Sequence, residues 1–210
     1  MESREVLHML AAMIIGAVVA SFALLIQGSF SLAGLYALCG AAVVGVVIIG
    51  RKTVAYLLDA GVEHELWTMH RYSFAPHHYL KKGAPVGIIL PLFLTLFSLG
   101  TIKFPALLTY ETRALKQRAA KRFGYYSYTE MTDWHNAIIG VAGIATALIG
   151  AAVAYVLNIE PLAKFAVYYA SVNMLPFSKL DGTQIFFGNR ILYTTTAIIT
   201  LIFLAYTFVI

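Results

Sequence analysis

Asp181 stands in the polar decapeptide Asn173-Met-Leu-Pro176-Phe-Ser-Lys179-Leu180-Asp181-Gly182, between two strongly apolar stretches. An ionisable side chain at or near membrane depth is costly unless a partner, a metal or water holds it, so by default it marks a functional site. It could bind a cation or carry a proton. The plain alternative is that it caps the helix that follows, with Lys179 solvated beside it. A second group of reactive side chains is the run His64-Glu65-Leu66-Trp67-Thr68. It opens as the H-E-x-x-H zinc motif does, in which two His one helical turn apart face one metal and the Glu takes a proton from the bound water. Thr68 stands where the second His is required. His64 and His70 are six residues apart, about 120° off a shared helical face, so one helix cannot aim both at one ion. His77 and His78 are adjacent in the loop Ala75-Pro76-His77-His78, and His8 and His135 lie near the starts of apolar stretches. A composite of His64, one of His77 or His78, and Asp181 can be drawn, but nothing in the spacing favours it over interfacial histidines.

The pattern N-x-x-P-x-x-x-L-D-G, matched at Asn173, Pro176, Leu180, Asp181 and Gly182, resembles the second signature of the site-2 protease family of intramembrane zinc peptidases. The continuation Thr183-Gln-Ile-Phe-Phe-Gly188 is similar to the stretch after that signature in archaeal members. The resemblance runs from about residue 54 to 210 and takes in a basic aromatic segment, a Pro/Gly-containing apolar hairpin, a strand-like Phe104 to Glu111, a small-residue span and the Asn-Pro-Leu-Asp-Gly span. It implies Asp181 as the third protein ligand of zinc, with His64 as a further ligand and Glu65 as general base if the protein is active. It also implies that Asn173 and Pro176 unwind the chain near Asp181 and, with the close-packing Gly140 and Gly143, serve substrate binding. The first signature is where the sequence departs. The Ala142-Gly143 pair stands at the place of an A-G-P-x-x-N stretch, with Ile144 replacing the proline.

With the second His missing, the resemblance implies a catalytically inactive member that binds or scaffolds a transmembrane segment of another membrane protein. An active zinc endopeptidase with a non-standard ligand set is one alternative. Another is a small transporter using Asp181, for which the sequence offers no repeat or paired half-sites. Zinc is the cofactor the family implies, and losing one of three protein ligands leaves a site with little hold on it.

The elements that must position these residues follow from composition. Among 210 residues, 60% are hydrophobic and 12% charged, far more apolar than a soluble domain. The chain is expected to be an integral membrane protein whose partners are the lipid bilayer and another protein's transmembrane segment. Apolar segments lie at about 6–26, 32–50, 84–100, 134–157, 161–177 and 190–210, where a full helical span needs about 20 residues. The first reads as a retained span, since its flank carries Glu2, Arg4 and Glu5 where a signal peptide would be basic. Cys39, alone of its kind, reads as a packing residue.

Residues 51–82 hold five basic side chains and residues 101–133 hold six. The positive-inside rule wants both loops in the cytoplasm of a cell-membrane protein, together with the N-terminus. That requires Ala84 to Gly100, with Pro85, Gly87 and Pro91, to enter and leave on one side as a re-entrant hairpin; six plain spans is the alternative. Arg113 to Arg122 then reads as a solvated face for lipid headgroups, and no nucleic acid is expected as a partner. Thr53 to Tyr72 reads as an amphipathic helix with Val54, Leu57, Leu58, Gly61, Leu66 and Met69 on its apolar face. Thr129 or Thr132 would cap the span beginning near Asn136. The fold expected is an all-α polytopic membrane protein of five to six transmembrane helices with a re-entrant hairpin. Residues 1–50 would form two N-terminal spans and 51–210 a site-2-protease-like core.

Overall fold

The computed structural model describes residues 2–71, 79–115 and 131–209. His77, His78, Thr129 and most of the basic run after Arg113 therefore lie outside the described residues. The described chain is mostly helical: α1 Glu2–Ile26, α2 Phe30–Leu57, α3 Val86–Phe97, α4 Asp133–Val156, α5 Glu160–Asn173, α6 Asp181–Gly188 and α7 Arg190–Val209. Among them α1, α2, α4 and α7 are the four long and apolar enough to cross a membrane. The expected span over 161–177 is α5, whose 14 residues reach only about 21 Å at 1.5 Å per residue. Pro176 falls in the irregular turn that follows.

Small residues let these helices approach closely. A side chain added at Gly40 of α2 would collide with the Gly16 backbone of α1. Val19 of α1, Val44 and Val47 of α2, and Ile144 and Ala147 of α4 fill the seam beneath and are buried.

Four short strands depart from the all-α expectation: β1 Ala60–Leu66, β2 Met69–Arg71, β3 Tyr79–Ala84 and β4 Leu108–Ala114. They form two antiparallel two-stranded sheets, β1 with β4 and β2 with β3. The reading of Thr53 to Tyr72 as one amphipathic helix is corrected here. The helix ends at Leu57, Asp59 takes the left-handed conformation (φ 52°), and β1 begins. In β1, Ala60, Val62 and His64 are buried and alternate with Gly61, Glu63 and Glu65, which is a period of two rather than 3.6. The strand-like stretch expected from Phe104 to Glu111 pairs from Leu108 onward, with Leu66 opposite Leu108 and His64 opposite Tyr110.

Between β3 and β4 the chain leaves Trp67 and comes back to it. The Gly87 N–H donates to the Trp67 carbonyl (2.8 Å), and the Trp67 N–H donates to the Leu107 carbonyl (2.9 Å). α3 leads away, the chain reverses at Leu99 and Gly100, and residues 101–107 return without helix. The reversal seats Gly100 (φ 81°) against the backbone of Ala23 in α1. The sheets, the start of α1 and the end of α2 share one end of the molecule, where Glu5 reaches Lys52 (2.8 Å). The ends of α4 and α7 share the other, where Tyr155 and Tyr206 touch. Thr132 caps α4 with extended backbone, as expected, although its hydroxyl contacts His135 Nδ1 rather than a backbone N–H.

Gly100→Ala should destabilise the fold by about 1–2 kcal/mol for its left-handed backbone and about 1–3 kcal/mol more for the clash with Ala23. Gly28, at φ 76° with nothing within 4 Å, should incur only the first cost as Gly28→Ala. Thermal unfolding of both variants in detergent measures the difference, and equal losses would dismiss the tight reversal.

Candidate functional site: a buried arginine–aspartate pair

Asp181 is the first residue of α6 and is fully buried, so its charge needs a partner. The partner is Arg51, near the end of α2 and also fully buried, whose Nη2 forms an ion pair with Asp181 Oδ2. The helix-cap role thus gives way to a bond that joins two distant parts of the chain. The rest of the cage is aromatic and small. The Arg51 guanidinium lies 5.1 Å from the Tyr110 ring centroid, close enough for a cation–π contact. The Tyr110 hydroxyl donates to the Asn136 carbonyl of α4 (2.7 Å). Tyr169 of α5 is completely buried beside the pair.

Gly143 and Gly140 complete the enclosure. A Cβ at Gly143 would lie 2.5 Å from Arg51 Nε, and one at Gly140 would lie 2.7 Å from the Tyr110 hydroxyl. Both glycines are packed by residues of this chain. Asp181 Oδ1 and Arg51 Nε have no hydrogen-bond partner among the described residues.

Four of the five fixed positions of the decapeptide, Asn173, Leu180, Asp181 and Gly182, are held by packing or bonding. Asn173 is buried and donates to the carbonyls of Tyr169 (2.9 Å) and Pro105 (3.3 Å), which fastens the returning strip 101–107 to α5. Pro176 is exposed in the turn. Leu180 packs with Trp67 and Ala106. Trp67 Nε1 donates to the Ser178 hydroxyl (3.1 Å) and its ring meets Phe177 edge-on. Gly182 lies against the Met174 carbonyl, where a Cβ would not fit.

His64 and Glu65 take other directions. Neighbours on a strand point to opposite faces: His64 is buried, and Glu65 is exposed. The His64 N–H donates to Glu5 Oε1 (3.3 Å), and its Nδ1 lies 3.4 Å from the same oxygen, which also receives Lys52. Burial, reinforced by the nearby Arg51 charge, pushes His64 down to about 3, so the ring is neutral at physiological pH. His64 and Asp181 therefore answer to different partners. Among the described residues no three His, Cys, Asp or Glu side chains gather as a metal site would require.

Beside the pair, β4 leaves one edge uncovered by β1. The Tyr110 carbonyl points away from β1 and accepts from Gln184 Nε2 of α6 (3.1 Å); by strand alternation the Thr112 backbone groups point the same way. They face a cleft of about 600 Å³ with Asp133 and Asn136 of α4 on one wall and Thr183 and Phe187 of α6 on another. Lys179 and Glu111 pair across its mouth (2.9 Å). Comparison with protein-family models, with curated proteins and with solved structures finds no match to this chain.

Sequence reasoning used Arg51 only as one charge in a basic loop and did not pair it with Asp181. The available signal was that a buried carboxylate in an apolar protein demands a cation, and Gly50-Arg51 closes an apolar run. Tyr110 and Trp67 gave no signal apart from being aromatic.

Arg51→Met or Asp181→Leu alone should cost about 3–5 kcal/mol, because each leaves a buried charge unpaired. The double variant should recover most of that loss, a coupling that a double-mutant cycle of unfolding free energies measures. Additive losses would mean that the pair is solvated in the membrane protein. His64 yields a separate expectation from the sign of its shift. Because its folded value is depressed from 6.5 to about 3, its stabilising contribution is complete above pH 6.5 and is lost as pH falls through that window, by up to ~1.4 kcal/mol per unit. His64→Phe should flatten the stability profile over that range relative to wild type; parallel profiles would refute the buried neutral ring.

Proposed function

We propose that this chain is a membrane binding or scaffolding protein of the site-2 protease type without the hydrolytic centre, and that it holds an extended piece of another protein's transmembrane segment. The observation that carries the reading is the Arg51–Asp181 pair. In the resembling family the carboxylate at this position serves a metal cation; here a guanidinium lies against it in full burial. A permanent organic cation balances the carboxylate's charge and supplies neither Lewis acidity nor a bound water. The separation of His64 from Glu65 on opposite faces of β1 supports the same reading.

The binding element is the open edge of β4. An extended segment in the cleft can pair with the Thr112 backbone and gain main-chain hydrogen bonds, the usual means of adding a strand to a sheet. Unwound membrane segments need such partners, because hydrocarbon offers none. This replaces Gly140 and Gly143 as the recognition face, since Tyr110 and Arg51 already fill the space beside them. The excursion from Trp67 through α3 and back along 101–107 serves as the re-entrant hairpin, held by Asn173. In this arrangement the sheet end faces the cytoplasm with the basic loops.

Zinc measured by elemental analysis in gently purified protein should be far below one equivalent in wild type and in Asp181→Ala alike. One equivalent that disappears with Asp181→Ala would overturn the proposal in favour of a peptidase. Thr112→Pro, which removes an edge N–H that β1 does not use, should abolish photo-crosslinking from Phe187 to a model transmembrane peptide, and Glu65→Gln should leave it unchanged. Crosslinking indifferent to Thr112→Pro would remove strand addition as the mode of capture.

A further inference from the structure

The cleft at the edge of β4 has a charge of its own. Glu111, Asp133 and Lys179 are the charged residues along it, and Lys179 answers Glu111 across the mouth (2.9 Å). Asp133 is exposed and forms no ion pair among the described residues. Its place at the start of α4 offsets part of its charge, but no side-chain cation meets it. The cleft therefore carries one unanswered carboxylate.

Strand geometry decides which residue of a captured segment reaches that carboxylate. Side chains alternate along β4. Tyr110 and Thr112 turn toward α4, where the Tyr110 hydroxyl donates to the Asn136 carbonyl (2.7 Å) and the Thr112 hydroxyl to Asn136 Oδ1. Glu111 turns to the other face and meets Lys179. A segment added along the edge places the residue directly opposite Thr112 on the same face as the Thr112 side chain, toward Asn136. Asp133 stands three residues before Asn136 in α4, one turn along the same helix face and about 5–6 Å away, within reach of a long side chain. The residues on either side of it in the segment point instead toward the balanced Lys179–Glu111 pair.

The open edge is also short. Gln184 Nε2 holds the Tyr110 carbonyl (3.1 Å) and β4 ends at Ala114, so by alternation main-chain bonding is confined to Thr112 and Ala114. Backbone bonds of that number hold any extended chain alike, and selection falls to the side chain beside them.

We propose that the cleft selects for a basic residue: it takes the cytoplasmic flank of a transmembrane segment with a Lys or Arg of that flank opposite Thr112 and its charge received by Asp133. The inference rests on the strand-capture reading and adds to it what is captured. Charge complementarity commits the occupant, because Lys and Arg concentrate in the cytoplasmic flanks of transmembrane segments, at the level where the sheet end lies in that reading. An acidic flank would meet repulsion, and an uncharged one would leave Asp133 as it is.

The test uses the full chain in phosphatidylcholine nanodiscs, with a photoreactive residue at position 187 and a Leu-Ala transmembrane peptide whose cytoplasmic flank is a Ser-Thr-Val stretch holding one Lys. Companion peptides carry Gln or Glu in its place. The Lys peptide should label about fivefold more than the Gln peptide at low ionic strength, the Glu peptide least, and the differences should shrink as salt rises. Asp133→Asn should bring the Lys and Gln peptides level, and Asp133→Lys should reverse the order. Should either variant fail to fold by circular dichroism, the peptide series on the wild-type chain still decides. Equal labelling by all three peptides, still lost with Thr112→Pro, would overturn the basic-residue inference and leave strand capture standing. Labelling indifferent to Thr112→Pro in every peptide would remove strand capture itself. A Lys preference that survives Asp133→Asn would overturn the inference as well, as would crosslinks to a second copy of the chain in place of the peptide.

Discussion

The rest of the molecule is arranged around one bond, the ion pair between Arg51 and Asp181. Two charges removed from water cost several kcal/mol each unless they meet, so α2 and α6 must come together with the right register. That requirement explains the surroundings. Gly143 leaves room for the guanidinium, Tyr110 offers a π face to it, and Gly182 lets the chain pass close under Met174 so that Asp181 points inward. A pair of apolar residues would give comparable or better stability. The pair fixes which residues of α2 and α6 meet, since slipping either helix by one residue would leave both charges unanswered.

A second constraint is backbone hydrogen bonding in an apolar setting. Residues 101–107 run without helix beside α1 and α5, where unpaired carbonyls are expensive. The Trp67 N–H donates to the Leu107 carbonyl, the Asn173 side-chain amide donates to the Pro105 carbonyl, and Leu180 with Ala106 covers the gap. The polar decapeptide therefore does two jobs with neighbouring residues: Asn173 holds the returning strip and Asp181 answers Arg51. Its residue types look like a catalytic signature, yet Asn173, Leu180, Asp181 and Gly182 are also required by the packing.

Periodicity in the sequence revealed the long helices, because runs such as Ile138 to Ala152 admit no other fold in an apolar chain. It failed at Ala60 to Leu66, where Val54, Leu57, Leu58 and Leu66 suggest a helical stripe while the buried set is Ala60, Val62 and His64. Small residues hid the alternation there, since Ala60 and Gly61 carry almost no hydrophobic contrast. Asp181 was legible as a site because it is a charge in an apolar region. Its partner was not, because Arg51 adjoins Lys52, and only the fold distinguishes the buried cation from the one that reaches Glu5 at the surface. Thr68 showed that the zinc motif is incomplete, and β1 adds the reason that its remaining residues cannot cooperate, since His64 and Glu65 face opposite ways.

The two ends of the molecule differ in what they leave open. At the sheet end the buried charges are paired across 130 residues of sequence, and one edge of β4 at Thr112 is left uncovered by β1. At the other end α5 is short, a phenol pair joins α4 to α7, and the i,i+4 ion pair Glu160–Lys164 lies within α5 alone. Exposed ion pairs of that kind contribute only ~0.3–0.5 kcal/mol. The buried charge pair therefore fixes which residues of α2 and α6 meet at the sheet end, while the other end is held by apolar packing among α4, α5 and α7, which specifies closeness without specifying register.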